Sequence, residues 1–384
     1  MQTINYPEVL FFDLGSSGVK AKGFLFDKNN DLKQNLFYEK TDILHIKDVL
    51  ENDGYFSSDV IAKSSQAVHD STAKFIAMTD SQLHNSDEGI AVCGLATEAF
   101  RVALNANEII DSYNKEVSSL LNERNNIDID IKAIPQDDEA KFGYLSLVDS
   151  ILSDDLTRDE ILVWDVGAGS MQMTFSQTDN NNGHITLIAN NKIGTQHKAY
   201  DVFSDLSNGS YHYSMGDELS VEDYDNLFAN HEIYSLMHGD YREANELGNI
   251  YNNKHVVGAG LHYYLTQVVH FIESEGNDDT DYLNKPSSYT RLELKDTFFK
   301  ILNYAQNDEA VLAIFNEDNS NLFNENTLSK LGFMYGEMLE YDIDEVFVPP
   351  IAYQAPLYQS IANNGCEVLS DIFNGMDISH AIIE

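Results

Sequence analysis

A chain of 384 residues is longer than one hydrophobic core usually supports, so two domains are expected, and 43% hydrophobic with 11% aromatic content can fill both cores. Twenty-three basic against sixty-three acidic residues leave a net charge of -40, a field that repels duplex nucleic acid and anionic membranes. The acid excess fits adaptation to salt or cold, and any anionic ligand would need a local basic lining.

Two cysteines, Cys93 and Cys366, suggest neither a disulfide framework nor a zinc site, as in a reducing compartment. The opening MQTINYPEVLFF has no basic and apolar leader pattern. No apolar run reaches the roughly 18 residues that span a bilayer. The expectation is a cytoplasmic protein without a membrane partner, and a homodimer is compatible with it.

The first element is a β-hairpin. Val9 to Phe12 form a buried strand that ends on Asp13, Gly15 to Gly18 turn, and Val19, Ala21, Gly23 and Leu25 alternate with Lys20, Lys22, Phe24 and Phe26. Because the period stays at two after the glycines, a dinucleotide-binding turn, which would enter a helix, is disfavoured. Residues 59–78 then have helical spacing, 89–95 (GIAVCGL) read as a strand, and ATEAFRVALNANEIIDSYNKEV is helical with a break near Asn105. DIDIKAI is a short strand, and the later part of PQDDEAKFGYLSLVDSIL is a helix.

ILVWDVGAGSMQMTFSQ then repeats the opening: a buried strand ends on Asp165, Gly167 to Ser170 turn, and Met171, Met173 and Phe175 alternate with polar residues. A hairpin that occurs twice, about 150 residues apart, implies two similar α/β domains facing each other across a cleft. A third glycine element, HVVGAGLHYYLTQVVHFI, reads as a strand feeding Gly-Ala-Gly and then a helix. VFVPPIAYQAP reads as a strand stopped by two prolines.

Small residues at such turns let backbone N–H groups approach phosphate oxygens, and an aspartate at a strand end can hold Mg2+, which normally bridges to phosphate. Two turns of this kind could grip a phosphate chain from both sides. Candidates for a basic lining are Lys20, Lys22, Arg101, Lys141, Lys192, His197 and Lys198. The histidines His231, His238, His255, His262 and His270 lack metal-ligand spacing and read as surface or interface residues. Trp164 reads as core.

The two hairpins resemble the phosphate-binding loops of the superfamily of actin, sugar kinases and the large heat-shock ATPases, and DLGSSGVKAKGF, with Lys20, is close to the actin version. The intervening segment resembles the exopolyphosphatase/guanosine-pentaphosphate phosphohydrolase (Ppx/GppA) family. ATEAFRVALN matches its Ala-Thr-x-Ala-x-Arg-x-Ala-x-Asn run, AIPQDDEAKFGYL its Ile-Ser-Gly-x-Glu-Glu-Ala-Arg run, and DVGAGSMQ its DIGGGSTE run. The match runs from about residue 9 to 270.

The resemblance implies an α/β fold of two ribonuclease H-like (actin-like ATPase) domains flanking a cleft, here 1–138 and 139–384, with the last helix able to return to the first domain. It implies release of terminal orthophosphate from inorganic polyphosphate or guanosine pentaphosphate with Mg2+. Glu139 would activate water and Arg101 bind phosphate; Asp13 and Asp165 would hold the metal. Gly15, Ser16, Ser17, Lys20, Gly167, Ala168, Gly169, Ser170, Gln172 and Lys198 would contact substrate. The chain departs from the family pattern in four places: Gln172 stands for a glutamate, Ala168 for a glycine, Lys141 for an arginine, and Pro135-Gln136 for Ser-Gly. Gln172 therefore leaves open a catalytically decayed sensor of polyphosphate or alarmones, and Lys20 an actin-like or kinase-like nucleotide binder.

Overall fold

In this computed structural model the described residues are 6–15, 18–27, 32–43, 48–49, 51–80, 89–152, 156–167, 171–179, 182–191, 254–274, 285–307, 327–340, 342–350, 355–375 and 378–380. Two mixed sheets organise them. The first runs β3-β2-β1-β4-β5, built from Glu8–Gly15 (β1), Gly18–Phe26 (β2), Leu32–Asp42 (β3), Ile90–Ala96 (β4) and Ile127–Ala133 (β5). β1 to β3 form an antiparallel meander, and β4 and β5 run parallel to β1.

The second sheet contains Ile161–Val166 (β6), Met171–Asp179 (β7), Asn182–Asn191 (β8), His255–Gly260 (β9), Ser287–Thr290 (β10), Glu345–Val348 (β11) and Ile378–His380 (β12). Its order is β10-β11-β9-β6-β7-β8-β12. Within it, β8-β7-β6-β9-β11 has the same sense as the first sheet, since β6 to β8 are antiparallel and β9 and β11 run parallel to β6. The duplicated hairpin thus marks a duplicated domain core.

Strand alternation divides each sheet between two cores. Leu10, Phe12 and Leu14 of β1 face Ser58–Asp80 (α1) and Ala106–Leu120 (α3), where Val68, Phe75, Tyr113 and Val117 are buried. Ala99–Val102 (α2) is a single turn separated from α3 by Asn105, the expected break. Val9 and Phe11 face the opposite way, toward Gln136–Ile151 (α4), Ala355–Asn364 (α8) and Glu367–Gly375 (α9). In the second domain Leu162, Trp164 and Val166 pack on Leu261–Glu273 (α5), Arg291–Asn307 (α6) and Thr327–Glu340 (α7). Ile161 and Val163 face α4 through Tyr144, Leu147 and Val148. α4 therefore begins against one sheet and ends against the other. No helix among the described residues is long and apolar enough to cross a membrane.

Two expectations are corrected. Cys93, in β4, and Cys366, just before α9, form a disulfide with Cα atoms 5.5 Å apart, both fully buried. The pairing was hidden because 273 residues separate the cysteines. α8 and α9 return to the first sheet, where Tyr358 stacks on Phe24 at 4.1 Å and Lys141 donates to the Phe373 carbonyl at 2.7 Å. Closing so long a loop restricts the unfolded chain, so Cys93→Ala should lower unfolding free energy by about 2–5 kcal/mol. Urea melts without reductant measure the loss, and wild type in strong reductant should approach the variant.

His262 is the second correction. It lies in the second core with no exposed surface, its Nδ1 2.6 Å from the Tyr289 hydroxyl and its ring edge-on to Trp164. Burial lowers its pKa to about 3, so the neutral imidazole packs as an apolar ring. His255 stays on the exposed end of β9, His270 bonds Ser287 and the Ser288 carbonyl, and His231 and His238 lie outside the described residues.

Candidate active site

Asp13 is the last side chain on the Phe11 face of β1 before the turn, where apolar packing gives way to the gap between the sheets. Its register partner on β2 is Lys20, whose Nζ lies 2.8 Å from Asp13 Oδ2. Lys22, two residues on, shares that face and is opposite Tyr38 of β3. The meander can be this tight because residue 18 is glycine. A Cβ there would stand 2.0 Å from the Thr41 carbonyl oxygen.

Asp165 holds the matching place on β6, its ladder partners being Gln172 of β7 and Ala259 of β9. Two glycines let neighbouring backbone close around it. At Gly260, with φ +64°, a Cβ would meet Asp165 Oδ1 at 2.5 Å and the Val166 carbonyl at 2.4 Å. A Cβ on Gly143 would stand 3.4 Å from Asp165 Oδ2. Gly143 is on α4, so Glu139, four residues earlier, sits about one turn, roughly 5.4 Å, further along the same helix face.

α4 is anchored to the other hairpin as well. Phe142 stacks on Phe11 with ring centroids 5.2 Å apart and planes at 7°, and Phe11 is two residues before Asp13 on the same strand face. The helix that carries Glu139 is therefore pinned to both aspartate strands. Arg101, in the single turn after β4, donates to Glu139 Oε2 at 2.8 Å and to the Ile134 carbonyl at 3.3 Å.

The charges confirm the convergence. Burial raises the pKa of Glu139 to about 7; Arg101 opposes the rise, and both Asp165 and Asp13 add to it. Burial also raises Asp165, with Lys20 and Lys22 opposing and Asp13 adding. Asp13 moves down instead, because Lys20, Lys22 and Lys40 together outweigh its burial. Lys20 rises well above the ordinary lysine range: burial works against its charge, but Asp13 leads the neighbours that favour it. Lys22 falls to about 8 through burial, which Asp13 and Asp165 only partly offset. Asp165 senses Asp13 across the gap, and Lys20 senses both.

The expected residues thus divide cleanly. Asp13, Lys20, Lys22, Arg101, Glu139, Asp165 and Gln172 converge, with the backbone of Gly15 and Gly167 at the strand ends. Ser16, Ser17, Ala168, Gly169, Ser170, Lys192, His197 and Lys198 lie outside the described residues. Lys141 does not line the gap: only 8% exposed, it bonds Asp138 and the Phe373 carbonyl and ties α4 to α9. Tyr38 and Tyr263, both in the electrostatic surroundings of Asp165 and its neighbours, were missed. Tyr263 follows the third glycine turn, so its position after Gly258-Ala259-Gly260 was the available signal.

Two duplicated sheets with the 3-2-1-4-5 order, facing each other across paired aspartates, define the class: a protein of the actin-like ATPase fold. Within that class, residues 26–215 match the model of the Ppx/GppA phosphatase family. A Ppx/GppA family member from Aquifex aeolicus is 18% identical over 95% of this chain and 98% of its own, with a TM-score of 0.55. An exopolyphosphatase from Cytophaga hutchinsonii is 11% identical over 94% of this chain and 99% of its own, also at 0.55. An exopolyphosphatase-like protein at 14% identity covers 92% and 99% with a TM-score of 0.56. At these identities the likeness is one of fold. No curated protein matches the chain.

Proposed function

We propose that the protein is a magnesium-dependent phosphohydrolase that releases orthophosphate from the end of inorganic polyphosphate, with guanosine pentaphosphate as a second substrate. One observation carries the reading: Glu139, with a pKa of about 7, stands on a helix pinned between two aspartates and beside an arginine. A carboxylate so tuned is half ionised near neutrality, the condition for general-base work.

Glu139 would take a proton from water as that water's oxygen bonds the terminal phosphorus. The bridging P–O bond breaks, and its electron pair leaves with the shortened chain. Phosphoryl transfer needs positioning and charge neutralisation more than covalent help. Lys20, Lys22 and Arg101 supply positive charge there, set among the carboxylates of Asp13, Asp165 and Glu139. Asp13 and Asp165 suit Mg2+, which is bound through one or two carboxylates with phosphates and water completing its shell, and which would neutralise charge on the transferring group. Among the described residues no cluster of three or more His, Cys, Asp or Glu forms an all-protein cage, and Mg2+ at a phosphate site does not require one.

The test is orthophosphate release from polyphosphate with Mg2+ across pH. Glu139 must be ionised and Lys22 protonated, so kcat/KM should rise through about pH 7 and fall through about pH 8. A flat profile between pH 6 and 9 would remove both assignments. Gln172, a neutral side chain buried beside Asp165, favours a second reading, a sensor that binds phosphate chains without turnover. Tight binding with no orthophosphate release would select it.

A further inference from the structure

Like charges set directly opposite each other on adjacent strands cost stability, and the first sheet has such a pair beside Asp13. Lys20 of β2 is the register partner of Asp13 on one side and of Lys40 of β3 on the other. Directly opposed residues share a sheet face, and Lys22, two residues along β2, shares it too. Three of the chain's twenty-three basic residues thus stand on one face of two neighbouring strands, in a protein with sixty-three acidic ones. Glu39, which alternates with Lys40, points the other way, to Lys74 and Ser71 of α1.

The row has a direction. It starts at Asp13 in the gap between the sheets, passes the part-buried Lys20 and ends at the exposed Lys40, on the outer strand of the sheet. Two strand spacings, roughly 10 Å, separate its ends. A terminal phosphoryl group held between the aspartates does not extend that far, but the later phosphates of a linear chain would. A linear polyphosphate stays charged along its whole length, whereas the phosphate chain of a nucleotide soon gives way to a sugar. Lys40 has no part in the chemistry at Glu139, and it is among the cations that lower the pKa of Asp13.

We propose that Lys20, Lys22 and Lys40 form a track along which the internal phosphates of a linear polyphosphate chain leave the cleft, with Lys40 as the outermost contact. The assignment rests on the phosphohydrolase reading, which fixes where the chain begins. It makes Lys40 a residue that selects long chains over short ones.

The experiment uses the full chain with Mg2+, with tripolyphosphate as the short probe and long-chain polyphosphate as the long one. Affinity is measured by calorimetry in the Glu139→Gln background, and orthophosphate release with Glu139 intact. Lys40→Gln should weaken long-chain polyphosphate about fivefold, the upper range for one exposed ionic contact, and tripolyphosphate less than about twofold. The slope of log affinity against log salt for the long chain should become shallower by about 0.7–1, one counterion fewer being released. Lys40→Glu should weaken the long chain further. Lys63→Gln removes the same charge from the exposed side of α1, against the other face of the sheet, and should change neither affinity. Melting temperatures should stay near that of the parent, because both lysines are exposed. Unchanged long-chain affinity in Lys40→Gln, an equal loss with tripolyphosphate, or an equal loss in Lys63→Gln overturns the track while leaving the phosphohydrolase standing. No binding of either probe by the Glu139→Gln parent and no release by wild type would overturn both together.

Discussion

Glu139→Gln should retain tripolyphosphate binding and lose about 10²–10⁴-fold in turnover, the usual contribution of a general base. The amide keeps the shape of the side chain and a carbonyl acceptor for Arg101, so the helix position and the phosphate contacts survive. What disappears is the group that can take a proton at pH 7. The same substitution should affect stability in the opposite direction. Glu139 has a higher pKa folded than unfolded, so between about pH 4.5 and 7 the native state holds more protons and loses stability as pH rises. The stability of Glu139→Gln relative to wild type should therefore increase from pH 5 to pH 8, as urea melts can measure. A variant more stable yet inactive is the signature of a functional charge held at a cost.

Asp13→Asn and Asp165→Asn should both raise the Mg2+ needed for half-maximal rate by at least 10–100-fold, the range lost even when residues behind the metal ligands change. Their effects on folding without metal should have opposite signs. Asp13 has a lowered pKa, so it stabilises the native state above its ordinary titration range, and that stability disappears as acid protonates it in the folded protein. Asp13→Asn removes the partner of Lys20 and should lower the melting temperature at pH 7. Asp165 has a raised pKa, so its ionised form weakens the fold above about pH 4. Asp165→Asn should leave the melting temperature unchanged or raise it. Metal titrations of activity and melting curves in chelator separate these effects.

The local grammar of the site was legible in the sequence. A buried strand, an aspartate, small residues and a resumed period of two are all contained within about fifteen residues, and β1–β2 and β6–β7 formed as that pattern dictates. Glu139 and Arg101 came from resemblance alone, because nothing in the residues between them states that they pair at 2.8 Å. β3 was missed: its pairing with β2 shifts register near Gly23 and again near Leu25, so the alternation that signals a strand is interrupted. Tyr38 was missed with it.

Contacts across great sequence distance were equally invisible. The helices after residue 355 return to the first sheet, and only that return brings Cys366 to Cys93 and the Phe373 carbonyl to Lys141. Lys141, a candidate for the basic lining, is used by the fold as a strut between α4 and α9. His262 shows the same gap, since burial against Trp164 and Tyr289 is decided by how α5 lies on its sheet, and histidine spacing carries no trace of that.

The most direct test of a shared phosphate site between the two hairpins is a crystal structure of Glu139→Gln protein soaked with tripolyphosphate and Mg2+. The terminal phosphorus should lie between the carboxylates of Asp13 and Asp165, within reach of the substituted side chain, with Lys20 and Lys22 against the chain. Tripolyphosphate bound elsewhere on the surface, with the two aspartates separated by protein alone, would contradict it.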